Sequence, residues 1–378
     1  MKSTVIRGAL AFCLSVLSLP SQAIVSCNQP AAAASPSVQP SVQPSIQPNV
    51  AEAARLLAGM KTGHSPASRE FERYISVAND GWQTYTQRFG QPLRAWAAKE
   101  IRQNVGQAVF YPFSGPDLPN MLSVFPAASR FVMISDQYAN KYFDPSVLGE
   151  HDRSKLLREM GDEWARFGQR GFFVTQELNK RGGKSRPHVN VNTVVMAFAA
   201  RLGYEVRAVY PICLDAKDVS IRLDDSKAAR WASIRLELRK DGRDVVVDYI
   251  QQNLSNFGLS KRSELGALIA ALSKTPVFLK AASHLLQQPD FSILRDAILA
   301  SAPVVVQDET GLEYDAMVKS FSVKLYGEYV NAHHSFKEFG NRSLAQAYKD
   351  RAAEVRPLDF KLGYQKDAGS AIQVATRK

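Results

Sequence analysis

Gln107-Ala-Val-Phe-Tyr-Pro-Phe-Ser-Gly-Pro-Asp117 is where the hydrophobic period of the chain changes. Ahead of it the apolar residues fall at helical steps: Phe71, Tyr74, Ile75, Ala78 and Trp82, then Leu93, Trp96, Ala97 and Ile101. From Gln107 to Phe113 the run is β-rich, and Ser114-Gly115-Pro116-Asp117 halts it. A strand that runs into two prolines, a glycine and polar side chains holds Ser114 and Asp117 rigidly at its end. In α/β sheets ligands bind outside the carboxyl ends of strands, so this loop reads as a binding or catalytic loop. A buried turn with Asp117 capping the next segment fits the same residues.

Beyond that point strands and helices mix. Arg130 to Ser135 is a second strand, Tyr204 to Ile212 a third, and Pro303 to Gln307 a short apolar one. Ser233–Leu238 and Asp244–Ile250 alternate in polarity around Lys240-Asp241-Gly242-Arg243, and Asp-Gly marks a tight hairpin turn. Leu156, Leu157, Met160 and Trp164 mark a helix, and Asn192 to Leu202 another that Gly203 closes. Helical spacing recurs over 262–272, 276–288, 291–301 and 343–355. The pattern predicts a mixed α/β class: a single large domain over residues 51–378, with a central mixed sheet that includes one antiparallel hairpin, flanked by helices. No repeat is read within it.

The composition, with 45% hydrophobic and 22% charged residues among 378, is that of a globular chain and excludes wholesale disorder, collagen and coiled coil. Three cysteines exclude a disulfide scaffold. Residues 1–26 read as a signal peptide: Lys2 and Arg7 precede an apolar stretch from Gly8 to Leu19 that is too short to span a bilayer. Two cleavage sites compete. Ser21-Gln22-Ala23 suits ordinary signal peptidase, whereas Ile24-Val25-Ser26-Cys27 resembles the lipobox of bacterial lipoproteins, which makes Cys27 a lipid anchor. Asn28 in place of Asp after that cysteine implies, by the same resemblance, an outer-membrane lipoprotein facing the periplasm; a soluble periplasmic or secreted protein is the alternative. With Cys13 lost and Cys27 acylated, Cys213 has no partner and reads as a buried thiol.

Residues 27–50 form a tether. Proline recurs every fourth position from Pro36 to Pro48, and such a chain extends about 3.1 Å per residue, roughly 70 Å in all. Loss of Lys2 and Arg7 takes the net charge from +11 to +9. The basic residues are scattered apart from the loop Arg181 to Arg186, so the partner expected is an anionic envelope component (lipid, lipopolysaccharide or cell-wall polymer), with the membrane reached through the anchor and no nucleic acid.

Standard enzyme signatures are missing. There is no Gly-x-Ser-x-Gly, His-Glu-x-x-His, Ser-x-x-Lys or Gly-x-Gly-x-x-Gly. The six histidines show no metal-ligand spacing, so neither a metal nor a cofactor is expected. What remains are candidates for a site. Gln307-Asp308-Glu309-Thr310-Gly311 places two acids after an apolar strand; Asp308 reads as facing a cleft and Glu309 as solvated. Lys280 and His284 sit four apart on the helix read over 276–288, either facing that cleft or riding an exposed stripe. Ser114, Asp117, Asp308, Lys280 and His284 are the catalytic candidates. Tyr111, Arg295, Gln307 and Tyr326 are the binding candidates, with Arg295 pairing with one of the acids. Leu325-Tyr326-Gly327-Glu328-Tyr329 and Leu362-Gly363-Tyr364 are aromatic–glycine turns that could line a carbohydrate-like surface.

Tyr111 to Asp117, Lys280-Ala281-Ala282-Ser283, Phe291-Ser292 with Arg295, Gln307-Asp308 with Gly311, Leu325-Tyr326-Gly327, Tyr329 and Gly363-Tyr364 occur in that order. Over about 105–378 they resemble an uncharacterised family of bacterial exported proteins and lipoproteins. Its members tend to carry two aspartates and a serine in the acidic loop, where this chain has Glu309 and Thr310. The resemblance implies export and one shared fold, and transfers no catalytic residue. The chain then reads as a cell-envelope lipoprotein that binds a ligand or assists assembly at the membrane surface, or as an envelope hydrolase or transferase that uses loops 111–117 and 307–311.

Overall fold

The computed structural model describes residues 49–102, 107–172, 189–214, 221–223, 231–329, 331, 339–364 and 369–378. The leader, Cys27, most of the proline tether and the basic loop 181–186 lie outside the described residues.

Among the described residues ten strands form one sheet: β1 Ala108–Pro112, β2 Arg130–Ser135, β3 Glu205–Leu214, β4 Ile221–Leu223, β5 Ser233–Lys240, β6 Arg243–Gln251, β7 Val277–Leu279, β8 Val304–Gln307, β9 Phe321–Gly327 and β10 Ala371–Arg377. Their order is β4-β3-β5-β6-β2-β1-β7-β8-β10-β9. The five central strands, β6 to β8, are parallel, and both flanks are antiparallel. Parallel strands are covered on both faces and so read as unbroken apolar runs, as in Phe131-Val-Met-Ile134. The β5–β6 hairpin turns through Asp241 and Gly242, with φ of 49° and 78°, the two left-handed positions of a type I′ turn.

Eleven α-helices are described: α1 Val50–Leu57, α2 Arg69–Tyr85, α3 Gln91–Glu100, α4 Leu118–Val124, α5 Glu150–Arg170, α6 Val191–Arg201, α7 Asn256–Ser260, α8 Ser263–Leu272, α9 Ser292–Ser301, α10 Tyr314–Ser320 and α11 Arg342–Asp350. Strand side chains alternate between faces. Val109, Tyr111, Phe131, Met133, Val247 and Tyr249 therefore pack under α1 to α6. Phe110, Val132, Ile134 and Ile250 pack under α7 to α11. The first half of the helices thus covers one face and the second half the other. Phe131, fully buried at the centre, would cost about 3–5 kcal/mol if cut to Ala. On the first face α2 and α5 meet at two glycines. A Cβ on Gly81 would stand 2.4 Å from the Trp164 carbonyl oxygen, and one on Gly168 would stand 2.5 Å from that of Gly81.

One local pattern occurs twice. β1, an acidic loop, the seven-residue α4 and β2 follow each other, and so do β8, an acidic loop, the seven-residue α10 and β9. β8 and β9 run the same way because each is antiparallel to β10 between them.

Two expectations are corrected. Residues 276–288 are not a helix: Val277–Leu279 is β7, and only Leu285–Gln287 makes a 3-10 turn. Pro276-Val-Phe-Leu279 is too short for periodicity to separate strand from buried helix, and the slot between β1 and β8 decides it. Cys213 is buried as expected, but it is disulfide-bonded rather than a free thiol.

Candidate functional site

β1, β7 and β8 are adjacent and parallel, so their carboxyl ends reach the same edge of the sheet. Three loops leave there: 113–117, 280–284 and 308–312. They hold the expected Ser114, Asp117, Lys280, His284 and Asp308, and all five side chains are buried. Neither Lys280 nor His284 rides an exposed stripe.

Asp117 starts α4, but its side chain does not cap the helix. It turns inward and accepts hydrogen bonds from Tyr111 Oη (2.9 Å), Asn120 Nδ2 (2.5 Å) and Lys280 Nζ (2.8 Å). The Lys280 and Asp117 side chains are 1% and 5% exposed. Burial pushes the Asp117 carboxyl above its ordinary range, against the opposing charge and hydrogen bond of Lys280. Burial also pushes Tyr111 well up, and the neighbouring Asp117 and Asp308 add to it. Tyr111 Oη stands 3.2 Å from the Lys280 carbonyl oxygen, and Asn120 is itself held by Tyr85 Oη at 3.0 Å and by the Gly171 carbonyl at 2.9 Å. Lys280 Nζ also lies 5.6 Å from the centre of the Phe172 ring.

Asp308 ties the second and third loops together. Its Oδ2 accepts the backbone N–H of Ala281 at 2.7 Å, and its Oδ1 accepts from the N–H and hydroxyl of Thr310 at 3.0 and 2.5 Å. Thr310 Oγ1 in turn accepts the N–H of Ala282 at 2.7 Å, and the N–H of His284 donates to the Thr310 carbonyl at 3.1 Å. His284 Nδ1 lies 3.2 Å from Gln287 Oε1; burial lowers its pKa, a shift that Gln287 and Asp308 oppose. Gln307 is buried at the end of β8. Its amide clasps Leu312, giving at 3.0 Å to the carbonyl and taking at 2.9 Å from the N–H, which closes the acidic turn.

Backbone strain concentrates here. Phe113, Ala281, Ser283 and His284 have φ of 59°, 52°, 54° and 58°. The other two non-glycine residues of this kind among the described ones are Asn140 and Asp241, types that tolerate the left-handed region. Each of the four costs on the order of 1–2 kcal/mol, and clusters of such residues mark functional sites. Gly363, at φ 93°, completes the wall: a Cβ there would stand 3.1 Å from Asp308 Oδ2.

Two expectations fail. Glu309 is buried beside Asp308 rather than solvated, because the clasped turn leaves neither acid a route outward. Arg295 pairs with neither Asp117 nor Asp308. It stands 3.3 Å from Asp296 and 3.4 Å from the carbonyls of Leu286 and Gln288, bracing the turn that follows His284. Tyr326 hydrogen-bonds Glu100 at 2.6 Å and meets Trp96 edge-on, pinning β9 to α3 outside the three loops. Of the two aromatic–glycine turns, Gly363-Tyr364 hydrogen-bonds the 280–284 loop. Tyr364 Oη donates to the Ala281 carbonyl at 2.8 Å and lies 2.9 Å from Ser283 Oγ.

Residues not anticipated from the sequence are Asn120, Thr310, Ser283 and Gln373. The first two carried a signal. Asn120 lies three after Asp117 on a helix, and Thr310 two after Asp308 in a turn that a carboxylate can close. Gln373 sits on β10 opposite Gln307 and donates to the Asp308 carbonyl at 3.3 Å, a neighbour only sheet register reveals. Three buried side-chain atoms around the loops have no hydrogen-bond partner among the described residues: Ser114 Oγ, Glu309 Oε2 and Gln373 Oε1.

Compared with family models, curated proteins and solved structures, the chain matches none.

Proposed function

We propose that the chain is an exported cell-envelope protein that binds a small polar ligand at the three loops. The observation that supports this reading is that Asp117, Lys280, His284 and Asp308 come together at the carboxyl ends of parallel strands on strained backbone, with unpartnered polar atoms beside them. Side chains this buried suit a small ligand better than a polymer. The disulfide at Cys213 supports an oxidising compartment. The net charge of +9 after leader removal favours anionic envelope components as neighbours.

A second reading is an enzyme, a hydrolase or transferase, at the same site. It draws on the acid–base groups themselves: a lysine, a histidine and three carboxyl groups in neighbouring loops. The experiment is native mass spectrometry of the full chain purified from the periplasm of an expressing cell, beside Asp117→Asn and Asp308→Asn. A co-purifying mass lost in both variants supports one site. A bare protein in all three counts against it and leaves the basic surface to explain the protein's role.

A further inference from the structure

Glu309 differs from every other charged group of the three loops. It is 3% exposed, and its Oε2 has no hydrogen-bond partner among the described residues. Asp117 has Lys280, and Asp308 has three donors. Glu309 has no cation beside it among the described residues. The titratable groups near enough to interact electrostatically with it are Asp308 on its own loop, Tyr364 after Gly363, Tyr329 after β9 and Tyr348 on α11. Its backbone cannot move to relieve this. The Asp308 N–H donates to the Leu279 carbonyl at 3.0 Å, Thr310 is bonded to Asp308, and Gln307 clasps Leu312. The Cβ-less Gly363 leaves its side space at Glu309 Oε1, where an added Cβ would stand 3.8 Å away.

We infer that Glu309 is kept as the undissociated acid and serves as a hydrogen-bond donor to an acceptor oxygen (carbonyl, carboxylate or phosphoryl) of the ligand. Ionising it would set two carboxylates side by side in a site whose described lysine, Lys280, is already paired with Asp117, so its proton is held and shared rather than given up. Burial and the Asp308 charge both push the carboxyl well above its ordinary range, which agrees with this assignment. A carboxylic acid kept neutral by an apolar site is a known way to build a donor where an oxygen's charge must be met. The inference names the ligand chemistry of the site proposed above and rests on that reading.

The test is infrared spectroscopy of the full chain at pH 7, unlabelled and grown on carbonyl-13C glutamate. The expected result is a C=O stretch of a protonated carboxylic acid that shifts with the glutamate label and is lost in Glu309→Gln. Acetate and inorganic phosphate are the probes, and the band should move to lower frequency on adding one of them. Absence of a label-sensitive band, or its survival in Glu309→Gln, overturns the neutral acid. A band that neither probe moves overturns the donor role. Should Glu309→Gln fail to fold, the labelled wild type is titrated from pH 5 to 9. Loss of the band by pH 6 then refutes the assignment, and its persistence at pH 7 supports it. The band is read on the protein without ligand, so a failed ligand search and a failed protonation state remain separate results.

Discussion

Removing one partner of the Asp117–Lys280 pair should destabilise the protein far more than removing both. The pair is 2.8 Å apart with both side chains almost fully buried, so neither charge can turn to water if the other is lost. Breaking such a pair from one side costs about 3–5 kcal/mol, chiefly the desolvation of the stranded charge. Lys280→Met leaves the Asp117 carboxyl with Tyr111 and Asn120 as donors, and its raised pKa lets it take up a proton, which places this variant at the lower end. Asp117→Asn strands a buried ammonium that lies 5.6 Å from the centre of the Phe172 ring, and belongs at the upper end. For a domain of this size a loss of 1 kcal/mol lowers Tm by about 1.5 °C, so the single variants should fall by about 4–8 °C. The double variant, with both charges gone, should recover at least half of the summed loss. The assay is a double-mutant cycle by urea unfolding at pH 7, with m-values checked for constancy. Two small single effects that simply add would mean that water reaches the pair, and the buried-site reasoning would fail with them.

Stability should also fall as pH rises above about 4.5. Glu309 ionises first in the unfolded chain, because its folded pKa is raised; the folded state therefore holds the extra proton, and each rising pH unit costs up to about 1.4 kcal/mol until the folded group titrates. Glu309→Gln should flatten that slope, measured by urea midpoints at intervals of pH, and an unchanged slope would refute it. Gly363→Ala should cost about 1–2 kcal/mol from its φ of 93° and loosen the Asp308 bond to Ala281, seen as faster amide exchange at Ala281. Cys213 should give no free thiol in the unreduced, unfolded protein. Cys27 can carry a lipid or share a disulfide but not both. Intact mass of the mature chain, with and without reductant, decides between the two.

The elements that were legible in the sequence are those whose local signals agree with their surroundings. Arg130–Ser135 is a strand at the residues its apolar run marks, and the Asp241-Gly242 turn joins two strands of alternating polarity. The loop after β1 was legible because Pro112, Gly115 and Pro116 leave little else for the chain to do. β7 was not. Val277-Phe-Leu279 followed by Lys280-Ala-Ala-Ser-His284 has good helical composition, and only the pairing of Phe110 with Val277 and of Phe278 with Val306 makes it a strand. That misreading hid the geometry of Lys280 and His284: Lys280 reaches the site just past the end of β7 and His284 through left-handed backbone, rather than both along one helix face. Glu309 was misplaced for a similar reason. Adjacent residues on a strand point to opposite sides, but in a turn clasped by Gln307 both acids can point inward. Arg295 looked like a partner for an acid because charge is visible in sequence, whereas the carbonyl oxygens it braces are not.

The position of the site follows from the sheet itself. A parallel strand must be followed by a crossover, and β1, β7 and β8 each leave the same edge on a loop and return by way of a helix. β1 and β8 also begin the two strand–loop–helix–strand units, so each unit delivers one aspartate to that edge, Asp117 from the first and Asp308 from the second. β7 lies between them, and Lys280 stands one residue past its end. The lysine cannot serve both acids, and the hydrogen bonds divide the task. Lys280 Nζ goes to Asp117, while the backbone N–H of the next residue, Ala281, goes to Asp308. That N–H points at Asp308 because Ala281 adopts a left-handed conformation at φ 52°. The strain in the 281–284 loop is therefore coupled to how the two acids are partitioned, one neutralised by a side chain and the other by the main chain. Glycine at 281 should keep this arrangement and relieve the strain, so Ala281→Gly would stabilise the fold by up to about 1 kcal/mol without moving either aspartate. Proline there removes the N–H and cannot take a positive φ, so it would strand Asp308 and cost several kcal/mol.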